Sequence, residues 1–345
     1  MNKITKTVFA AALAVTATVG GAWAQEITLK VGHSSEAEAM LPGAGRTAGV
    51  LAFKNHIEVA SGGRIAVEVF PNGSLGNART MIESAQLGTL QAVGGYTSIM
   101  VPFVPEIAVT QIPYVFEDNL TAWKVMDGPV GDDLAALFLE ETGLRVLGWA
   151  DGSGYRHIYS EKPIKSPADM KGMTMRVPEN PGLLAMFRAW GAKTVTITWA
   201  ELYTSLQSGM AEGHDTELYS MYSKKLYEVN PYVTMSRHSF NLHPLMMNEQ
   251  FFQSLSEEDQ TIVLQAADLY TRVANAHSLL SSLVVQEAME KEGATFYYPT
   301  DEEIDQFREL GQQPYIDTIV GKIGDDGQEW VDRIISAAEE AKDES

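Results

Sequence analysis

The sequence predicts an α/β protein of two lobes joined by a hinge, and three observations carry that prediction. Strand-period and helix-period segments alternate through both halves of the chain; the halves share this grammar without repeating sequence; and one stretch near residue 270 is helix-compatible for longer than a small lobe is wide. The 345 residues, 45% hydrophobic and 20% charged, suffice for about two globular cores and exclude intrinsic disorder.

Residues 26–32 (EITLKVG) alternate Ile27, Leu29 and Val31 with polar positions and stop at Gly32, the pattern of a first strand. Residues 47–60 carry apolar side chains at helical spacing and end at Ser61-Gly62-Gly63, and residues 64–70 (RIAVEVF) form a second strand closed by Pro71-Asn72-Gly73. The βαβ pattern continues through a helix over 78–87, stopped by Gly88, and a short strand over 92–96. In the second half, residues 166–169 (SPAD) are a capping box with Pro at the first helical position, leading past Gly172 into a strand over 173–177. A helix over 181–190 ends at Gly191, a strand over 194–199 follows, and a helix over 201–207 stops near Gly209.

Residues 256–259 form another capping box, and neither Gly nor Pro occurs between them and Glu292. A continuous helix of that length runs about 55 Å, so it is expected to cross both lobes or to break between them. The expected lobes are residues 25–153 with 242–281, and residues 154–241 with 282–345, the second carrying the C-terminal helices. The cleft between hinged lobes is the expected ligand site.

Composition removes several function classes. With 45 acidic against 25 basic residues the formal charge is −20, which speaks against a nucleic-acid partner. The absence of cysteine excludes disulfides, Cys-ligated zinc, iron–sulfur clusters and a cysteine nucleophile. Residues 1–24 read as a cleaved export signal: Lys3 and Lys6 precede a small-residue apolar stretch, and Ala22-Trp23-Ala24 is an A-x-A cleavage site. That stretch is shorter than the about 20 residues a membrane span needs, so the mature protein is expected to be soluble and exported, to the periplasm in a bacterial cell.

No H-E-x-x-H, G-x-S-x-G, P-loop or EF-hand pattern occurs, and neither a cofactor nor a metal is expected. Residues 43–48 (GAGRTA) match G-x-G-x-x-A but lie well beyond the strand they should directly follow, so the match is read as chance. The seven histidines are scattered. His214-Asp215 leaves open an acid–base pair, and with it a periplasmic enzyme as the alternative function. Arg176 projects near the C-terminal end of its strand, where ligands of open α/β sheets sit, and its guanidinium can grip a carboxylate through two parallel hydrogen bonds. Arg156 has a similar loop context. On spacing alone, an ordinary surface salt bridge is the favoured reading of both arginines, more so for Arg156. Trp199, in phase with Val195 and Ile197, is either core or an apolar cleft wall, with Tyr96 as its counterpart from the first lobe.

Five blocks in order, residues 70–76 (FPNGSLG), 112–116 (IPYVF), 166–178 (SPADMKGMTMRVP), 199–209 (WAELYTSLQSG) and 225–229 (KLYEV), resemble the DctP-type solute-binding proteins of TRAP transporters across nearly the whole mature chain. The resemblance implies a monomeric two-lobed periplasmic-binding-protein-like fold with a long lobe-spanning helix. It further implies a receptor, not an enzyme, that delivers a small organic acid to a membrane permease of a small and a large subunit, driven by an ion gradient; an ATP-driven transporter's binding protein is the other receptor alternative. By position, Arg176 resembles the family arginine that pairs with the substrate carboxylate and Arg156 the second arginine of that site. Trp199 resembles a pocket-lining aromatic residue, and Asn180 lies in a loop that contacts ligand in relatives. Where many relatives read D-G-Q-E-N-P, this chain has residues 212–217 (EGHDTE), so Thr216 takes the place of a carboxylate-binding Asn and offers one hydroxyl donor instead of an amide. His214, Asp215 and Glu217 become possible substrate-reading groups. Ser34, Tyr96 and His33 occupy first-lobe positions that read the distal end of the ligand, with Tyr96 replacing an acidic group of sialic-acid-binding relatives. His238 is a further pocket candidate.

Overall fold

The structure, a computed structural model, describes residues 27–38 and 44–343. The expected export signal lies outside these residues. In chain order the strands are β1 (Ile27–His33), β2 (Ile65–Phe70), β3 (Ala92–Gly94), β4 (Leu144–Gly148), β5 (Asp151–Ser160), β6 (Thr174–Val177), β7 (Lys193–Thr196), β8 (Gly213–Glu217), β9 (Tyr232–Leu242), β10 (Leu245–Asn248) and β11 (Thr295–Tyr297).

They form two sheets, one per lobe. The first has the order β2-β1-β3-β10-β4, with β1 parallel to β2 and β3, and β10 antiparallel to both neighbours. The second has the order β11-β9-β5-β8-β6-β7, in which β6 runs parallel to β7 and β8. The chain passes between sheets at Trp149-Ala150 and at His243-Pro244, and again along the helix Glu257–Lys291. The alternating face of β1 buries Leu29 and Val31 against Val50, Phe53 and Val67, which makes the first core.

Half of the expected capping box at Ser256 forms: its hydroxyl accepts from the Asp259 backbone N–H, and the helix runs unbroken to Lys291. Its first half buries Val263, Ala267 and Tyr270 in the core of the first lobe, and its last turns bury Val285 and Met289 in that of the second. One helix therefore belongs to both lobes. Between these two stretches Leu280 and Leu283 stay exposed. Gly45 and Gly49, within and just beyond the G-x-G-x-x-A segment, serve packing: a Cβ at Gly45 would stand 2.9 Å from Ala274 O, and one at Gly49 2.8 Å from the Tyr270 ring. Only glycine lets the helix Gly45–Ala60 lie this close to the long helix.

Three expectations need correction. The 166–169 capping box is present but opens a short 3-10 turn, Pro167–Met170. The strand expected over 194–199 ends at Thr196, so Trp199 stands in the following turn. The last helix, Gly327–Asp343, expected with the second lobe, packs on the preceding helix Asp301–Ile323 and as much on Asn119–Met126 and Pro105–Gln111, within the chain segment assigned to the first. Its Val331, Ile334, Ala338 and Ala341 repeat at helical spacing and need an apolar surface, which that segment supplies.

Candidate functional site

Between the lobes lies a cavity of about 840 Å³, at the C-terminal ends of β6 and β8. Seven expected residues line it: Arg176, Arg156, Thr216, Glu217 and Trp199 from the second lobe, Ser34 and Tyr96 from the first.

The charged wall is built by strand pairing. β5 and β8 run antiparallel with Arg156 opposite Glu217, which places the guanidinium among carboxylates of its neighbour strand. Its Nε donates to Asp215 Oδ2 at 2.5 Å, Nη1 to Glu217 Oε1 at 3.2 Å and Nη2 to Asp215 O at 2.7 Å. All three side chains are at least 95% buried. Burial opposes the charge of Arg156, but Asp215 and Glu217 outweigh it and hold its pKa above the ordinary value. Burial also pushes Asp215 up, and the adjacent Arg156, with a bond from His238, holds it well below the usual carboxylate range.

Arg176 is different. Its Nε donates to Ile197 O at 2.9 Å, and among the described residues no carboxylate makes an ion pair with its guanidinium. Burial pushes it down to about 10; Asp215 pulls it up, while Arg156 repels it. At neutral pH it is a desolvated cation without a counter-ion, because both buried carboxylates of the cleft are bonded to Arg156.

Glu217 is saturated. Oε1 accepts from Arg156 and from Asn241 Nδ2, and Oε2 accepts from Thr216 Oγ1 at 3.0 Å and Ser220 Oγ at 2.8 Å. This corrects the expectation for Thr216: its hydroxyl hydrogen goes to Glu217 and not to a ligand.

Five expected groups do not reach the cavity wall. Asn180 caps the helix Pro181–Ala189, accepting from Leu183 N and donating to Gln111 Oε1 at 2.6 Å. His33 is fully buried, and burial with nearby Arg46 lowers it to about 4. His214 stacks on Tyr159 at 4.9 Å, and burial, then Arg176, lowers it to about 3. Asp215 shares its Oδ2 between Arg156 and His238 while its Oδ1 is buried without a hydrogen-bond partner, and His238 is held between Asp215 and Ser236 with its ring against Trp190. A short apolar-flanked strand carries side chains to both faces, and sequence alone did not show which face opens on the cleft.

Other residues of the site were not foreseen. Glu36, Asn72, Ser98 and Lys224 line the cavity, with Lys224 Nζ 5.3 Å from the Trp199 ring centroid. Arg79 and Glu179 pair across the rim from opposite lobes at 3.2 Å. Arg46 lies behind Tyr96, 4.8 Å from its ring, and donates to Gly152 O and Ser220 Oγ at 3.4 Å. The signal for Arg46 was a single arginine between two packing glycines, inside the segment that matches G-x-G-x-x-A.

Residues 42–320 match the profile of DctP, the bacterial extracellular solute-binding protein family 7. The chain belongs to this family. A solute-binding protein of Roseobacter denitrificans is 33% identical over 275 residues, 80% of this chain and 82% of that one. One from Verminephrobacter eiseniae is also 33% identical; there the match covers 62% of this chain and 64% of the relative's length. Among solved structures, a TRAP periplasmic solute-binding protein of Roseobacter denitrificans with bound L-galactonate has a TM-score of 0.80 at 29% identity, over 90% of this chain and 99% of that one. Family 7 membership accords with the two sheets, the shared long helix and the cleft between them.

Proposed function

We propose that this protein is a periplasmic receptor that captures a small organic acid between its lobes, with the ligand carboxylate on Arg176, and hands it to a TRAP permease of a small and a large membrane subunit. The observation that carries this reading is Arg176 itself: charged, 5% exposed, facing the cavity and without a carboxylate partner. A carboxylate supplies both the missing charge and the acceptors for its fork. Arg156 positions the site by locking Asp215 and Glu217, and Trp199 and Tyr96 form facing walls. The Roseobacter structure holds a carboxylate, L-galactonate, which supports the same class of ligand here. We assign residues 1–24 to a cleaved export signal and the mature protein to a monomer, as the resemblance implies.

An enzyme is not favoured. His214 and Asp215 are buried off the cavity, and Asp215 is already committed to Arg156. Thermal unfolding of the mature protein against a panel of organic acids, after refolding to strip co-purified ligand, tests the proposal. A ligand at a thousandfold excess over Kd stabilises by about 4 kcal/mol, a shift of several degrees. That shift is expected to shrink strongly in Arg176→Lys, which keeps the charge but loses the bidentate fork; calorimetry should read a loss of about tenfold to a hundredfold in affinity. Folded protein that responds to no acid would end the carboxylate reading.

A further inference from the structure

We infer that the ligand carries a hydroxyl on the carbon next to its carboxylate, and that Thr216 selects this 2-hydroxy acid against the corresponding 2-oxo acid. The inference rests on the carboxylate reading above and extends it to the adjoining carbon.

It follows from where hydrogens can go. The Thr216 hydroxyl stands 3.0 Å from Glu217 Oε2. A carboxylate bonded to Arg156 accepts hydrogen bonds and gives none, so Thr216 must be the donor in that contact. A hydroxyl has one hydrogen, and Thr216 has used it. What it still offers the cavity it lines is a pair of oxygen lone pairs. Glu217 cannot release it cheaply, since its four accepted bonds come from Arg156, Asn241, Thr216 and Ser220, and Ser220 in turn accepts from Arg46. The acceptor character of Thr216 is therefore fixed by a buried network.

Position then decides what meets it. Arg176 on β6 is in register with His214 on the neighbouring strand β8, and Thr216 lies two residues further along β8. Strand spacing and rise put the two Cα atoms about 8 Å apart. Both side chains line the same cavity, so a small acid whose carboxylate engages the Arg176 fork can bring its next carbon to Thr216. A hydroxyl on that carbon donates to the waiting lone pairs. An oxo group there sets one acceptor against another, and both lose water without gaining a bond.

The test uses matched acids that differ only at this carbon, lactate with pyruvate and 2-hydroxyglutarate with 2-oxoglutarate, each hydroxy acid as both enantiomers, titrated calorimetrically into the mature protein. The hydroxy member of a bound pair should bind about fivefold to a hundredfold more tightly. Thr216→Val keeps the shape and removes the acceptor, so it should bring the two members to within about twofold. Thr216→Ser should restore the preference, and Thr216→Asn, which adds a donor, should shift it toward the oxo acid. Equal binding of hydroxy and oxo members by the native protein, or a preference unchanged in Thr216→Val, would overturn the inference while leaving the carboxylate site intact. Failure of the folded protein to bind any acid of a wider panel, dicarboxylates and sugar acids included, would remove the carboxylate reading and this inference together. Loss of folding in Thr216→Val leaves the decision to the native protein's ratio and to Thr216→Asn.

Discussion

The two lobes build their halves of the cleft in different ways. The second lobe supplies Arg156, Arg176 and Glu217, all buried and held by side-chain hydrogen bonds to one another, to Asp215 behind them or to backbone. The first lobe supplies Ser34, Glu36, Asn72 and Tyr96, among which Glu36 and Ser34 are half-buried and Asn72 is exposed. Buried ion pairs must be held rigidly, since movement would leave an ion buried without its partner, whereas hydroxyl and amide groups at a wet edge can readjust at little cost. The rigid half suits the group that all acids share, and the adaptable half suits the part in which they differ.

Within the rigid half, the two arginines can be separated. Arg156→Ala leaves Asp215 and Glu217 buried without their cation and should lower ligand-free stability by about 3–5 kcal/mol, read from urea unfolding. Arg176→Met keeps most of the stem and orphans no carboxylate, so ligand-free stability should change by less than about 1 kcal/mol while acid binding is lost. Equal destabilisation by both would erase the distinction between a positioning and a ligand-facing arginine.

Acid should weaken the second lobe first. Burial lowers His214 and His157 there to about 3 and lowers His238 as well, and in the first lobe it lowers His33 to about 4 and His243 well below its ordinary value. These groups are neutral when folded but take up protons near pH 6.5 when unfolded. Their stabilisation is therefore complete above pH 6.5 and is lost as pH falls toward the folded values, at a rate of about 1.4 kcal/mol per histidine per pH unit. Asp215, held below its ordinary range, adds a loss in the same direction at still lower pH. Urea midpoints at pH 7.5 and pH 5.5 check this, and equal midpoints would contradict neutral burial. Hydrogen exchange on the same samples should show β5 and β8 opening before β1.

The smallest effect belongs to the rim, where the lobes meet in solvent. Arg79 and Glu179 are half-exposed, so Arg79→Ala should weaken ligand binding by at most about 1 kcal/mol, and less in high salt. A larger, salt-independent loss in calorimetry would mean that Arg79 reaches the ligand itself.

Much of this was legible in the sequence. Alternation in β1 and β2, the Ser256 cap and the unbroken run behind it specified elements that formed as expected, because each is encoded by neighbours in the chain. β5 was harder: its residues (DGSGYRHIYS) hold two glycines and little apolar alternation, and it is a strand because β8 and β9 pair with it on both sides. The arginines were legible as chemistry but not as a pair with unequal tasks. That division depends on which strand faces Asp215 and Glu217, a fact of register that no local pattern carries. The histidines misled for the same reason, since burial and not residue type decides whether an imidazole meets a ligand.

The missing partner of Arg176 also acts as a form of proofreading. A receptor that shuts while empty traps a dehydrated cation with no anion beside it, and one that shuts on an acid does not. The penalty falls on the unloaded closed shape alone. On the proposed function, a membrane partner that recognises closure would be offered mostly filled receptors, the empty ones being held open by their own electrostatics.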